Sequence, residues 1–138
     1  MNVYVAASSR ELERAERMMR LLALDGHVIT HNWIPSVRAA IASGISEAKA
    51  DDAHAYDAAR ADMDGVAAAD ALVFLAPTDT SKMAWSELGG ALMRGIPCLV
   101  AHDIEERRNQ SVVTRLAAVR CSDDEVLREL AMLEERMT

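Results

Sequence analysis

No apolar run in this 138-residue chain approaches a membrane span. The longest, Ala67–Ala69 and Ala71–Ala76, are interrupted by Asp70 and fall far short of the ~20 residues a spanning helix needs. The opening MNVYVAASSRELER lacks a basic leader region, and its apolar stretch is too short for a secretory signal. There are only two cysteines, Cys98 and Cys121, and they have no metal-ligand spacing. They are expected to be reduced, buried residues of a cytoplasmic protein. The four histidines, His27, His31, His54 and His102, form no HxxxH or HExxH pair, which argues against a zinc site. No GxGxxG or phosphate-loop glycine pattern occurs, so neither a dinucleotide nor an ATP site is expected. No cofactor and no metal are called for.

Positive charge is also scarce. Fifteen Lys and Arg face 22 Asp and Glu, for a net charge of −7, and no block of like charge stands out. That balance argues against a nucleic-acid polymer or an anionic membrane surface as partner. Hydrophobic residues make up 51% and charged residues 27%, the proportions of a globular chain of this length with one domain spanning 1–138.

Strand and helix signals alternate along the chain. Asn2–Ala6 is β-prone. Ser8 or Ser9 is expected to cap a helix to about Leu24, with Leu12, Ala15, Met18, Met19 and Leu22 on its apolar face and Gly26 ending it. A second strand is expected over His27–His31, and Pro35 opens a short helix. Residues 43–56 are polar without a clean period and read as an insertion or a weak helix. A helix over Asp57–Ala69 leads to the apolar strand Ala71–Ala76. After the loop Pro77–Lys82 come a helix over Ala84–Arg94 and a strand over Pro97–Ala101. Residues 102–111 read as a charged loop and Leu116–Cys121 as a weak strand. Ser122 with Glu125 forms a capping box for a last helix to about Arg136. Alanine fills 25 of the 138 positions, which favours helix and close helix–sheet packing. This order predicts an α/β, doubly wound, flavodoxin-like three-layer sandwich: a parallel sheet of four to five strands ordered 2-1-3-4-5.

In such a sheet, ligands bind beyond the carboxyl ends of the strands, where successive connections diverge to opposite faces. Three segments meet there: Ala6–Arg10, the helix bearing Asp62, and Pro77–Glu87. Ser8, Ser9 and Arg10, with the N–H groups of a helix start, make a set able to hold a phosphate. A plain serine cap with a solvated arginine accounts for them as well. Glu87 in an early helical turn is also what the helix dipole favours, and any one of Asp57, Asp62, Asp64 and Asp70 can be a solvated carboxylate. Gly89-Gly90 inside a helix costs ~1 kcal/mol per residue relative to alanine, which implies close packing against the sheet or a subunit interface. Trp85, two residues before Glu87, suits a core or interface position. Trp33 is placed to stack on a flat ligand or to fill a rim or core position.

Together these residues resemble the nucleoside 2-deoxyribosyltransferase family, closest to its 2′-deoxynucleoside 5′-monophosphate N-glycosidases. VYVAASSR (Val3–Arg10) is similar to that branch's strand followed by Gly-Ser-x-Arg. DMDGVAAADALVFLAP (Asp62–Pro77) resembles the family's two aspartates before an apolar strand. AWSELGGALMRGIPCLV (Ala84–Val100) resembles its Glu-Leu-Gly helix and the strand after it. The likeness spans Asn2–Leu24 and Asp57–Ala101. It implies Glu87 as the nucleophile at C1′ of the sugar, Asp62 as the group that protonates or orients the leaving base, and Tyr4 beside the nucleophile. It implies Ser8, Arg10 and Ser81 around a 5′-phosphate, and a homodimer or higher homo-oligomer. The expected activity is cleavage of the N-glycosidic bond of a nucleoside or its 5′-monophosphate, by hydrolysis or by transfer to another base. The family's glycine before the nucleophile is missing from Lys82–Ser86, and Ala7 replaces the glycine of the first loop. These departures motivate the alternative of a catalytically silent nucleotide-binding module. A receiver-like regulatory domain is a third reading, opposed by Ala6-Ala7-Ser8 where it would carry acidic residues.

Overall fold

The computed structural model describes residues 1–45, 51–102 and 112–138. Five parallel strands form one sheet, β1 (Asn2–Ala6), β2 (Val28–Ile29), β3 (Ala71–Leu75), β4 (Cys98–Ala101) and β5 (Val119–Cys121), in the order β2-β1-β3-β4-β5. The helices are α1 (Leu12–Leu24), α2 (Ile34–Ser43), α3 (Asp52–Ala67), α4 (Lys82–Met93) and α5 (Val126–Met137). The expected doubly wound sandwich is the observed fold. Every residue of β3 and β4 is buried, as required of central strands covered on both faces. Right-handed crossovers place α1 on one face of the sheet and α3 and α4, which pack together, on the other, and α5 packs on β4 and β5. Tyr4 of β1 stands level with Leu72 of β3. Among the described residues no helix is long and apolar enough to cross a membrane.

Several boundaries differ from expectation. The first helix has Glu11, not Ser8 or Ser9, at its N-cap position, and no side chain caps it. The Ser8 hydroxyl is engaged elsewhere: it donates to Asp79 across the next loop and accepts from the Arg10 N–H. The second strand keeps only Val28 and Ile29. As an edge strand it needs one partner, and His31 leaves the sheet to reach α3. Helix α3 starts five residues early because Asp51 caps it, accepting the His54 N–H at 2.9 Å. Part of the polar stretch 43–56 is therefore the first turn of α3, while 46–50 lie outside the described residues, as does most of the charged loop at 103–111. Residues Val112–Leu116 form a 3-10 turn, so β5 begins at Val119. Ser122 and Glu125 do form the capping box.

Crowding among the described residues does not explain the glycine pair in α4. A Cβ at Gly89 would meet nothing within 4 Å, and one at Gly90 would meet only Met63 Sδ at 4.0 Å. Trp85 is partly buried and packs against the core: its ring lies 4.7 Å from that of Phe74 at 56°.

Candidate active site

A cavity of about 650 Å³ opens where the first loop, α2, α3 and the start of α4 converge. That volume suits a small organic ligand, for which pockets run from about 300 to 1,000 Å³. Ser9, Arg10, Trp33, Asp62, Ser81 and Glu87 all line it. Val37, Ala40 and Ile41 of α2, Ala55, Ala58 and Ala59 of α3, and Met83 supply an apolar wall. Small side chains on α3 leave the room. Trp33 is anchored rather than free, because its indole N–H donates to the Val5 carbonyl at 2.9 Å.

Glu87 sits on the inner face of α4 and is 3% exposed. Helical spacing puts it with Ala84, Leu88 and Ala91 among the residues α4 buries. The phenol of Tyr4, fully buried in β1, donates to Glu87 Oε2. Burial pushes the Glu87 carboxyl up to about 8; the Tyr4 hydrogen bond pulls it down, and the charge of Asp62 raises it further. Burial and the two neighbouring carboxylates hold the Tyr4 phenol far above its ordinary range, so Tyr4 remains a donor. Tyr4, Asp62 and Glu87 thus form one electrostatically coupled group drawn from β1, α3 and α4.

Asp62 faces the cavity from α3, and His31 Nε2 stands 3.3 Å from its Oδ1. Gly65 makes this approach possible. A Cβ there would lie 2.7 Å from His31 Cβ and 3.0 and 3.1 Å from two Tyr4 ring carbons. Its carbonyl also accepts the Thr30 hydroxyl at 2.7 Å, tying α3 to the end of β2.

The residues assigned to a phosphate stand differently. Ser8 is 1% exposed and is absent from the cavity wall. Its hydroxyl donates to Asp79 Oδ2 at 2.9 Å, the Ser81 N–H donates to Asp79 Oδ1 at 3.2 Å, and Arg10 Nε lies 3.6 Å from Oδ2.

Sequence reasoning missed His31, Gly65 and Asp79. Gly65 did carry a signal, being a glycine in a helix interior three residues after Asp62. His31 was weighed only as a metal ligand, and Asp79 looked like an ordinary turn residue. Among the described residues no cluster of three or more His, Cys, Asp or Glu side chains is arranged to hold a metal ion. Neither the family models nor the curated protein sequences contain a match to this chain.

Proposed function

We propose that this chain breaks the N-glycosidic bond of a (deoxy)nucleoside or its 5′-monophosphate, as the resemblance to the nucleoside 2-deoxyribosyltransferase family implies. The observation that supports it most is Glu87, a buried carboxyl oriented by a phenol at the wall of a ligand-sized cavity that it shares with a second acid, Asp62. Such a pair suits an oxocarbenium-like transition state, in which positive charge grows at C1′ and negative charge on the departing base. The one proton the two acids share passes from Glu87 to Asp62 as substrate binds, and Glu87, now a carboxylate, attacks C1′ and forms a glycosyl ester. The C1′–N electron pair leaves with the base, which takes a proton from Asp62. Water, or a second base, then attacks C1′ and releases Glu87, and its proton returns to Asp62. His31 holds Asp62 in place through the second step. Tyr4 keeps one Glu87 oxygen fixed and disperses its charge.

The test is a panel of nucleosides and 5′-monophosphates, with and without an acceptor base. Free base should appear, and Glu87→Gln should abolish it. Asp62→Asn should lower kcat about 100-fold or more, with a smaller effect on KM, as expected of a proton donor. Binding without release of base across the whole panel would instead select a silent nucleotide-binding module. The same resemblance implies a homo-oligomer. Ile41, 63% exposed, and Met83, 38% exposed, border the cavity as apolar surface that a second copy can cover.

A further inference from the structure

Asp79 takes no part in the chemistry above, yet three donors converge on it, two from the first loop and one from its own. The Ser8 hydroxyl, the Ser81 N–H and the Arg10 guanidinium converge on its carboxylate at 2.9, 3.2 and 3.6 Å. Ser8, Arg10 and Ser81 are the residues that a phosphate reading assigns to the substrate. Here they surround an anion that belongs to the protein.

Charge decides what this means for a ligand. Among the described residues lining the cavity, Arg10 is the one cation, and Asp62 and Glu87 are the acids. Asp79 offsets that single positive charge. A phosphomonoester brings about −1.5 to −2 charges at neutral pH and can only accept hydrogen bonds from groups other than its own. To use these donors it must evict Asp79 or lie against it, in a cavity that Asp62 also lines. A 5′-hydroxyl carries no charge and can donate, so it meets neither obstacle.

We propose that Asp79 is a specificity-determining residue that sets the substrate as the neutral nucleoside and disfavours its 5′-monophosphate. It does so as a positioning residue, acting through Ser8, Arg10 and Ser81 rather than by forming the cavity wall. This rests on the proposed function for the placement of the sugar, and it chooses between the two substrate classes that reading allows.

Calorimetric titration tests it. The common 2′-deoxynucleosides and their 5′-monophosphates are titrated into the wild-type chain and into Asp79→Asn, with release of base measured alongside. The wild type should bind the nucleoside about tenfold or more tightly than its monophosphate, because like charges brought together are costly. Asp79→Asn keeps the shape and removes the charge, so that preference should shrink by about tenfold. A purely structural role would weaken both ligands together and leave the ratio unchanged, which overturns the inference. So does a wild type that prefers the monophosphate, since Asp79 is then a placeholder that phosphate displaces. The wild-type ratio decides the matter even where Asp79→Asn does not fold. A clear nucleoside preference without release of base removes the glycosidase reading but keeps this one. No binding by any member of the panel removes both.

Discussion

Glu87 titrates far from a surface glutamate because burial penalises its charged form more than the Tyr4 hydrogen bond favours it. Unfolded, the group titrates near 4.5; folded, at about 8. Between those values the folded state binds more protons than the unfolded one. The stability contributed by the neutral carboxyl is therefore complete below 4.5 and is lost as pH rises through about 8. Glu87→Gln escapes that loss, which is on the order of a few kcal/mol. The variant should melt close to the wild type at pH 5 and several degrees higher at pH 9. A difference in Tm that does not change with pH would show that Glu87 is not buried as described. The same titration bears on the proposed reaction. Glu87 would have to be ionised and Asp62 to carry the proton that the base takes, so the two acids need one proton between them and kcat/KM should fall as pH rises past about 8.

At the scale of elements, two glycines in neighbouring helices make opposite predictions. Alanine at either position gains about 1 kcal/mol of helix propensity. At Gly89 of α4 a Cβ meets nothing within 4 Å, so Gly89→Ala should raise Tm. At Gly65 of α3 the new carbon would stand 2.7 Å from His31 Cβ, an atom with little freedom to move. Overpacking of that kind costs about 1–3 kcal/mol, so Gly65→Ala should lower Tm. It should also lower activity, because Tyr4, on the other side of the contact, orients Glu87. Thermal melts of the two variants side by side check the signs. Equal shifts would mean that α3 does not approach β1 as closely as the structure has it. Glycine at 65 thus sets how near Asp62 comes to the Tyr4–Glu87 pair.

Across the whole molecule, Arg14 joins the pieces that surround the carboxyl ends of the central strands. Its guanidinium reaches Asp123 through two bonds of 2.7 and 2.8 Å, the Ala76 carbonyl at 2.8 Å, the Ala101 carbonyl at 3.3 Å and Glu11 at 3.4 Å. One side chain thereby ties α1 to the ends of β3 and β4 and to the turn before α5. Its removal takes the guanidinium from the Ala76 carbonyl and from Asp123, while the Ala101 carbonyl keeps the Ala76 N–H at 2.8 Å. Arg14→Ala should cost about 2–4 kcal/mol in urea unfolding. Arg14→Lys should recover only part of that, because lysine lacks the planar fork. Full recovery by lysine would reduce the clamp to simple charge. Self-association also belongs to this scale. Sedimentation equilibrium should show a homodimer or larger assembly, and charge placed on the exposed rim by Ile41→Glu should dissociate it. A monomer at all concentrations would leave the apolar border of the cavity without a second copy.

The strand-and-helix alternation was legible in the sequence because hydrophobic periodicity is local. ALVFLA and PCLVA are too apolar to be anything but central strands, and the order of the sheet follows from alternation and crossover handedness. Glu87 and Asp62 could be picked out because each lies beside such an element, whereas Tyr4 was named only through the resemblance to the deoxyribosyltransferase family. Helix starts were less legible. Asp51 and Ser8 are equally good caps by type, and only the presence of Asp79 across the fold diverts Ser8 from that task. What tertiary structure alone decided is which side chains meet. His31 reaches Asp62 over 31 residues of chain, Tyr4 reaches Glu87 over 83, and Ser8 reaches Asp79 over 71. Such pairings depend on packing distances between elements, and a residue's immediate neighbours in the chain carry no record of them.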